Sequence, residues 1–250
     1  MDVAARIASG LAYSELRLQD LSEAYGKQLR GRVESGPVDG YYQFKDTNSI
    51  TVYKAIHALF WEMAVLRDVL AEFAATYCLA RPKKKTLSGL IDSLKKEPSL
   101  DHLAARLMDY TDENSDGWLA KFTAYRNLFT HSAPMDQIAG TAFAVQDSKT
   151  LSPTLSVPQI YYPLPAKVFE LRERRSGVSL PFAKLQDLID SSCGRKPQRN
   201  SEPDALDYLS GCLAKMAELA DTLSLRSPIE ARPIEIHIDD LIGGLQVTKQ

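Results

Sequence analysis

Apolar side chains recur at intervals of three and four residues along most of the chain, which is the spacing of one face of an α-helix. Capping residues, glycines and prolines divide the chain into segments with this spacing. We therefore predict an all-α protein, built as an antiparallel helical bundle. The predicted helices cover about residues 3–31, 49–80, 86–96, 99–111, 118–131, 165–175, 179–192 and 204–226.

The second predicted helix is the most apolar segment of the chain. Asn48 or Ser49 can cap its N-terminus. Trp61, Ala64 and Val65 extend its apolar surface beyond a single stripe, so we expect it to be the central and most buried helix. It is not a simple membrane span, because it also carries four charged residues, Glu62, Arg67, Asp68 and Glu72.

Two segments depart from the helical spacing. Residues 140–165 are rich in proline and in β-prone residues. This composition indicates an irregular excursion from the helical bundle, in the form of a β-hairpin or of an extended segment. Residues 112–117, DENSDG, have the spacing of the first half of a calcium-binding loop, but Thr123 stands where such a loop requires a bidentate glutamate. A turn that ends in an N-cap from Ser115 or Asp116 explains the same residues without a metal.

Composition indicates one globular domain, which we predict over residues 1–226, followed by an extended tail over residues 227–250. Of the 250 residues, 44% are hydrophobic and 25% are charged, and the net charge is −2. No global basic field attracts nucleic acid, so any contact with RNA has to be local. Three scattered cysteines without a C-x-x-C motif argue against a disulfide framework or a zinc site, and we expect no cofactor. The N-terminus lacks the features of a signal peptide, so we expect a cytoplasmic protein.

The helix predicted over Trp118–His131 has two different faces. At about 100° per residue, Phe122, Tyr125 and Phe129 lie within about 40° of Trp118 and form an apolar face. A solvated opposite face would usually carry more glutamate and lysine, so its polar but weakly charged character indicates contact with an anion or with a second chain. This polar face consists of Thr123, Arg126, Asn127, Thr130 and His131.

The segment from Arg126 to His131, RNLFTH, resembles the R-x4-6-H motif of HEPN domains, in the common form of an arginine, a polar residue and then a histidine. HEPN domains are all-α bundles that usually dimerise, and many are metal-independent ribonucleases. The resemblance therefore implies a HEPN-like bundle and a homodimer that cleaves RNA as a toxin or defence nuclease. It also implies a separately encoded antitoxin or nucleotidyltransferase as a further partner.

In such a ribonuclease, the 2′-hydroxyl of RNA attacks the adjacent phosphorus and leaves a 2′,3′-cyclic phosphate. His131 would move protons near neutral pH, Arg126 would stabilise the phosphorane, and Asn127 would orient the imidazole or donate to the phosphate. One chain offers one histidine in this motif, so separate acid and base roles imply a second copy. Supporting candidates are Thr130, Thr123 and Glu62, and candidates for RNA contact are Lys83, Lys84 and Lys85.

The same residues also have a structural interpretation. Arg126 can form a salt bridge with Glu62 or Asp68, and His131 can cap the C-terminus of its helix. Some HEPN domains keep the fold and lack the activity. The alternative function is therefore a non-catalytic HEPN-like dimer that binds a nucleotide or a protein partner. We interpret His57, on the second predicted helix, as a histidine at the edge of the core.

Overall fold

The computed structural model of the chain describes residues 2–34, 42–132, 144–152, 155–166, 168–169 and 202–229. Helices account for most of the described residues, and one small three-stranded sheet interrupts them, which confirms the mainly helical class. The helices are α1 (Val3–Glu34), α2 (Thr47–Phe73), α3 (Leu87–Lys96), α4 (His102–Tyr110), α5 (Trp118–Asn127) and α6 (Ala205–Arg226). The strands are β1 (Tyr42–Phe44), β2 (Ala144–Ser152) and β3 (Leu155–Tyr161).

The two longest helices, α1 and α2, pack against each other in antiparallel directions. An ion pair of 2.8 Å joins Arg6, near the start of α1, to Glu72, near the end of α2. At the other end, the Gln28 side chain donates to the Ser49 hydroxyl at 3.0 Å. The prediction that α2 is the central helix is confirmed, because its buried side chains extend over its whole length. They include Val52, Ile56, Leu59, Met63, Leu66 and Leu70.

Two details of α2 differ from the sequence prediction. Its N-cap is Asp46 rather than Asn48 or Ser49, because the Asp46 carboxylate accepts from the Ser49 N–H at 2.9 Å and the Ser49 hydroxyl accepts from the Asp46 N–H at 3.0 Å. Trp61 and Val65 are 54% and 48% exposed, although the pattern predicted that this extra apolar surface would be buried. The core lies on the other side of α2, so these two side chains form part of the surface.

The turn before α5 fixes where that helix begins. The Asp112 carboxylate accepts from the Asn114 N–H at 3.0 Å, as in a turn. The N-cap of α5 is Gly117, without a side-chain cap, rather than Ser115 or Asp116. A Cβ atom at Gly117 would lie 2.6 Å from two backbone carbonyl oxygens of α4, so glycine permits this close approach. Among the described residues, no group of three or more histidine, cysteine or acidic side chains is placed to hold a metal ion.

The predicted helix over residues 118–131 changes its geometry before it ends. Its α-helical part is Trp118–Asn127, and Leu128–Ser132 forms a π turn. A second π turn, Ala74–Cys78, continues α2. Because a π turn has i→i+5 hydrogen bonds, each residue rotates the chain by less than the 100° of an α-helix. The regular spacing used to place His131 therefore does not hold beyond Asn127.

The predicted hairpin is present as β2 and β3, which pair in antiparallel directions with Val145 opposite Tyr161. The short strand β1, which the sequence pattern did not predict, pairs with the other edge of β2 and places Phe44 opposite Ala144. The sheet order is therefore β1-β2-β3.

The last predicted helix is confirmed as α6, which follows an N-cap at Asp204. Most of the residues predicted as helices 165–175 and 179–192, and most of the predicted tail 227–250, lie outside the described residues. None of the helices that the structure describes combines the length and the apolar character that are needed to cross a membrane.

Candidate functional site

The apolar face of α5 packs onto α2 through aromatic rings. Phe122, Tyr125 and Phe129 are at most 3% exposed. Their ring centroids lie 5.6, 6.4 and 5.4 Å, respectively, from that of Phe60 on α2. This packing confirms the predicted apolar face and fixes the rotation of α5 about its own axis. The polar face of α5 consequently lies next to the exposed side of α2.

Arg126 and Asn127 lie together on this polar face, and both are half-buried. The Arg126 Nη1 donates to the Asn127 Oδ1 at 3.1 Å. The Arg126 Cζ also lies 5.3 Å from the centre of the Trp61 ring, within the range of a cation–π contact. Thr130, a supporting candidate, is exposed. The structure therefore brings together two predicted site residues and one aromatic side chain from α2.

Thr123, one turn earlier on the same face, has a structural role. Its hydroxyl donates to the carbonyl oxygen of Leu119 at 2.7 Å and accepts from Arg67 Nη1 at 3.1 Å. Arg67 also forms an ion pair of 3.0 Å with Asp68. The carboxylate of Asp68, which the sequence offered as a partner for Arg126, is thus engaged by a different arginine.

His131 lies in the π turn, five residues after Arg126. Its backbone is among the described residues, and its side chain is not. On a regular α-helix, two positions five apart differ by about 140° around the axis. The smaller rotation per residue in a π turn reduces this angle, so the two backbone positions lie closer to the same side of the helix than the sequence prediction assumed.

The other candidates lie along α2 or beyond its end. Glu62 is half-buried and follows Trp61 in the chain. The His57 ring centroid lies 5.7 Å from that of Phe129, and this contact confirms the interpretation of His57 as a histidine at the core edge. Lys83 and Lys85 are exposed and Lys84 is half-buried, in the loop that connects α2 to α3.

This lysine-bearing loop returns to α2 before α3 begins. The Leu87 N–H donates to the Asp68 carboxylate at 3.1 Å. Asp68 follows Trp61 by seven residues, which on a helix means nearly the same face and a separation of about 10 Å along the axis. The end of the loop is therefore about two helical turns from Trp61, although no contact joins the lysines to Arg126.

Trp61 is the residue that the sequence analysis missed as part of the site. The apolar run of α2 favoured burial of every aromatic residue in it. A signal was nevertheless present, because Lys54, Trp61 and Asp68 recur at intervals of seven residues and therefore share one face of the helix. Charged residues on both sides of an aromatic residue on one helix face indicate exposure rather than burial.

The arrangement offers a forked cationic donor, an amide and an exposed indole ring within one small surface. A guanidinium suits the oxygens of a phosphate group, and an aromatic face suits a planar base. Comparison of the chain with protein-family models, with curated proteins and with solved structures finds no match. The features that bear on function are therefore this site and the resemblance of its motif.

Proposed function

We propose that this protein is a HEPN-type, metal-independent endoribonuclease that acts as a homodimer. The observation that supports the proposal best is the Arg126–Asn127 pair. It lies half-exposed against Trp61, just before the π turn that contains His131. The guanidinium lies over an indole ring that is 54% exposed, where the phosphate of an RNA strand can approach it. The same proposal includes a location in the cytoplasm and a role as a toxin or as a defence nuclease.

The proposed reaction is an internal transfer within the RNA. The 2′-oxygen forms a bond to the adjacent phosphorus while its proton passes to the imidazole of His131 in one copy of the chain. The bond from phosphorus to the 5′-oxygen breaks, and the imidazolium of His131 in the second copy supplies the proton that this oxygen needs. Arg126 stabilises the negative charge that develops on the phosphoryl oxygens, and Asn127 orients the reacting groups. The products are a 2′,3′-cyclic phosphate and a 5′-hydroxyl.

The second candidate function is a dimer that binds a nucleotide or a protein partner without cleaving RNA. Its support is the contact between Arg126 and the exposed Trp61, since cations and aromatic rings are combined in sites that bind nucleotides without cleaving them. In both cases we propose an antitoxin or a nucleotidyltransferase, encoded separately, as a further partner. Contacts between RNA and Lys83, Lys84 and Lys85 are also part of the proposal.

The proposal is tested by cleavage of mixed RNA in the presence of EDTA, with wild-type protein and with His131→Ala. We expect cleavage that leaves cyclic phosphate ends, and a rate that is about 10²–10⁴-fold lower in the variant, because proton transfer is lost. His102→Ala is the matched control, because this histidine is exposed on α4 and lies outside the motif. Light scattering is expected to show a dimer at micromolar concentration.

Three results would contradict the nuclease proposal. The first is full activity of His131→Ala. The second is loss of activity in EDTA that a divalent ion restores, because this would indicate a different mechanism. The third is a monomer that is fully active, because a monomer cannot form the composite site. RNA binding without cleavage by the wild-type protein would instead support the binding module.

A further inference from the structure

We propose that Trp61 is a stacking platform for a nucleobase of single-stranded RNA, beside the phosphate-binding group Arg126. The choice of RNA as the ligand rests on the proposed function. The stacking contact is a separate property, because it requires neither His131 nor a cleavage step. Nothing in the motif resemblance points to this residue, which lies on α2 and not on the motif helix.

Trp61 is exposed although its neighbours along the central helix are buried. It lies in the middle of the central helix, where the preceding residue, Phe60, is 1% exposed and the following apolar residue, Met63, is fully buried. Trp61 is nevertheless 54% exposed. A single exposed apolar side chain is ordinary, but this ring is large, planar and beside a cation, which is what a stacked nucleobase requires.

The neighbouring charges are complementary to a nucleic acid. The Arg126 Cζ lies over one face of the indole ring at 5.3 Å from its centre, so a base would stack on the opposite face, with a cation for its phosphate close to the ring. Lys54 is exposed and precedes Trp61 by seven residues on the same face of α2. On the other side of Trp61, the carboxylate of Asp68 shares the same face, and it is neutralised by an ion pair of 3.0 Å with Arg67 and accepts from the Leu87 N–H. Aromatic rings beside cations are the usual arrangement in sites for single-stranded nucleic acids.

A protein partner is the less suitable occupant of this face. The exposed large apolar side chains that the structure describes on α2 are Ile50, Trp61 and Val65, and Lys54 lies between the first two along the chain. A stable protein interface buries about 800 Å² on each partner around an apolar centre. An exposed indole with one apolar neighbour is a small surface by comparison, and it matches the size of a single base.

The test uses the fact that the chain has two tryptophans. The other, Trp118, is half-buried, with Tyr110 at 5.6 Å and Lys215 at 5.7 Å from its ring. The variant Trp118→Phe therefore leaves Trp61 as the fluorescent reporter, and Trp61→Phe leaves Trp118. Each variant is titrated with a single-stranded DNA oligonucleotide, which lacks the 2′-hydroxyl and is not cleaved by the proposed reaction. We expect quenching in the first variant and none in the second.

The size of the effect is measured with Trp61→Phe and with two further variants. Trp61→Leu, which removes the ring, is expected to weaken binding of the oligonucleotide by about 5- to 150-fold, and Trp61→Phe by less. Val65→Ser, which changes the exposed apolar residue one turn away, is the matched control and is expected to bind as the wild type does. Titration with adenosine monophosphate distinguishes a free nucleotide from a strand, because a strand also contacts the cations along α2. We therefore expect the oligonucleotide to bind more tightly.

Each outcome bears separately on the two proposals. Quenching of Trp61 without RNA cleavage supports stacking and contradicts the nuclease. RNA cleavage with an unchanged KM in a folded Trp61→Leu variant overturns stacking and leaves the nuclease intact. If Trp61→Leu and Val65→Ser both convert a dimer into a monomer while binding is unchanged, the face is an interface between copies and stacking is overturned. The absence of both quenching and cleavage overturns both proposals.

Discussion

Gln28 and Arg126 are both polar side chains at a contact between α2 and a second helix, but their surroundings are opposite. Gln28 is fully buried, and its amide nitrogen donates to Asp46 at 2.9 Å and to Ser49 at 3.0 Å. Its amide oxygen accepts from the hydroxyl of Tyr162, which is also fully buried. Arg126 is half-buried, and its guanidinium lies over a tryptophan that is largely exposed.

The surroundings of Gln28 continue as a network of buried polar groups. Tyr162 donates its backbone N–H to the Asp204 carboxylate at 2.6 Å, and the same carboxylate accepts from the Tyr25 hydroxyl at 3.0 Å. Burial raises the pKa of the Tyr162 hydroxyl, which keeps it protonated as a donor. The network thus joins α1, the N-cap of α2, the end of β3 and the N-cap of α6.

The difference between the two regions shows how to assign roles to polar residues in a helical protein. A buried network whose donors and acceptors are matched within the chain stabilises the fold and presents few groups to a ligand. A half-buried polar pair beside an exposed ring contributes less to stability, because part of its surface is already in water. Substitutions in the first region should therefore change the free energy of unfolding, and substitutions in the second should change activity.

The largest effect that we expect is in the surface region. Arg126→Ala should lower RNA cleavage by about 10²–10³-fold, because one donor that stabilises the transition state is lost. Arg126→Lys should recover part of the binding but less of the rate, because lysine keeps the charge without the fork. Asn127→Ala should cost less than Arg126→Ala, since the amide orients rather than reacts. Cleavage rates and melting temperatures of the three variants provide the measurement.

A stability result could reverse this assignment. If Arg126→Ala unfolds the protein or lowers its melting temperature as strongly as a core substitution does, the arginine is structural and the contrast with Gln28 disappears. Lys121→Ala, on the same helix but outside the site, is the control for general effects of removing a cation from α5.

The buried region should give the next largest effect, on stability alone. Gln28→Ala leaves the Tyr162 hydroxyl without its acceptor and opens a cavity, so the free energy of unfolding should fall by about 2–4 kcal/mol. Lys27→Ala, at an exposed neighbouring position, should change it by less than about 0.5 kcal/mol. Denaturant unfolding measures both. A Gln28→Ala protein that is as stable as the wild type, or one that is folded but inactive, would remove the proposed division of roles.

The sequence predicted the central helix and the aromatic face of α5 because long periodic runs are strong signals. Short features were not predictable in the same way. Asp46, Asn48 and Ser49 lie within four residues of each other and all satisfy the composition rule for an N-cap, so contacts decide between them. Strand β1 has three residues, too few to show alternation.

The candidate site was predictable in part. The motif placed Arg126 and Asn127 on one face of an amphipathic helix, and the structure shows a hydrogen bond between their side chains. The π turn at Leu128–Ser132 was not predictable, because five residues do not distinguish one helical geometry from another. Trp61 was missed because it belongs to a different helix, and only the packing of α5 on α2 brings it to Arg126.

The smallest predicted effect, on pH dependence, concerns Asp204 at the edge of the buried network. Burial raises the pKa of its carboxyl to about 6, although hydrogen bonds from Tyr162 and Tyr25 favour the charged form. The folded protein therefore holds this proton more tightly than the unfolded chain does. This contribution to stability is complete below the ordinary pKa of an aspartate and is lost as the pH rises from about 4 to about 6.

Asp204→Asn isolates the contribution, because asparagine does not titrate. From pH 4 to pH 7, we expect the wild type to lose about 1–3 kcal/mol more of its free energy of unfolding than the variant loses. In the N-cap of α6, the Asp204 carboxylate accepts from the Leu206 N–H at 3.0 Å, and the variant loses this carboxylate oxygen as an acceptor. The change in stability with pH is therefore compared within each protein, so that this constant loss does not affect the result. Wild-type protein that instead gains stability relative to Asp204→Asn over this range would show that the hydrogen bonds outweigh burial. The buried region would then hold a charge, as the surface region does, and the contrast between the two would lie in exposure alone.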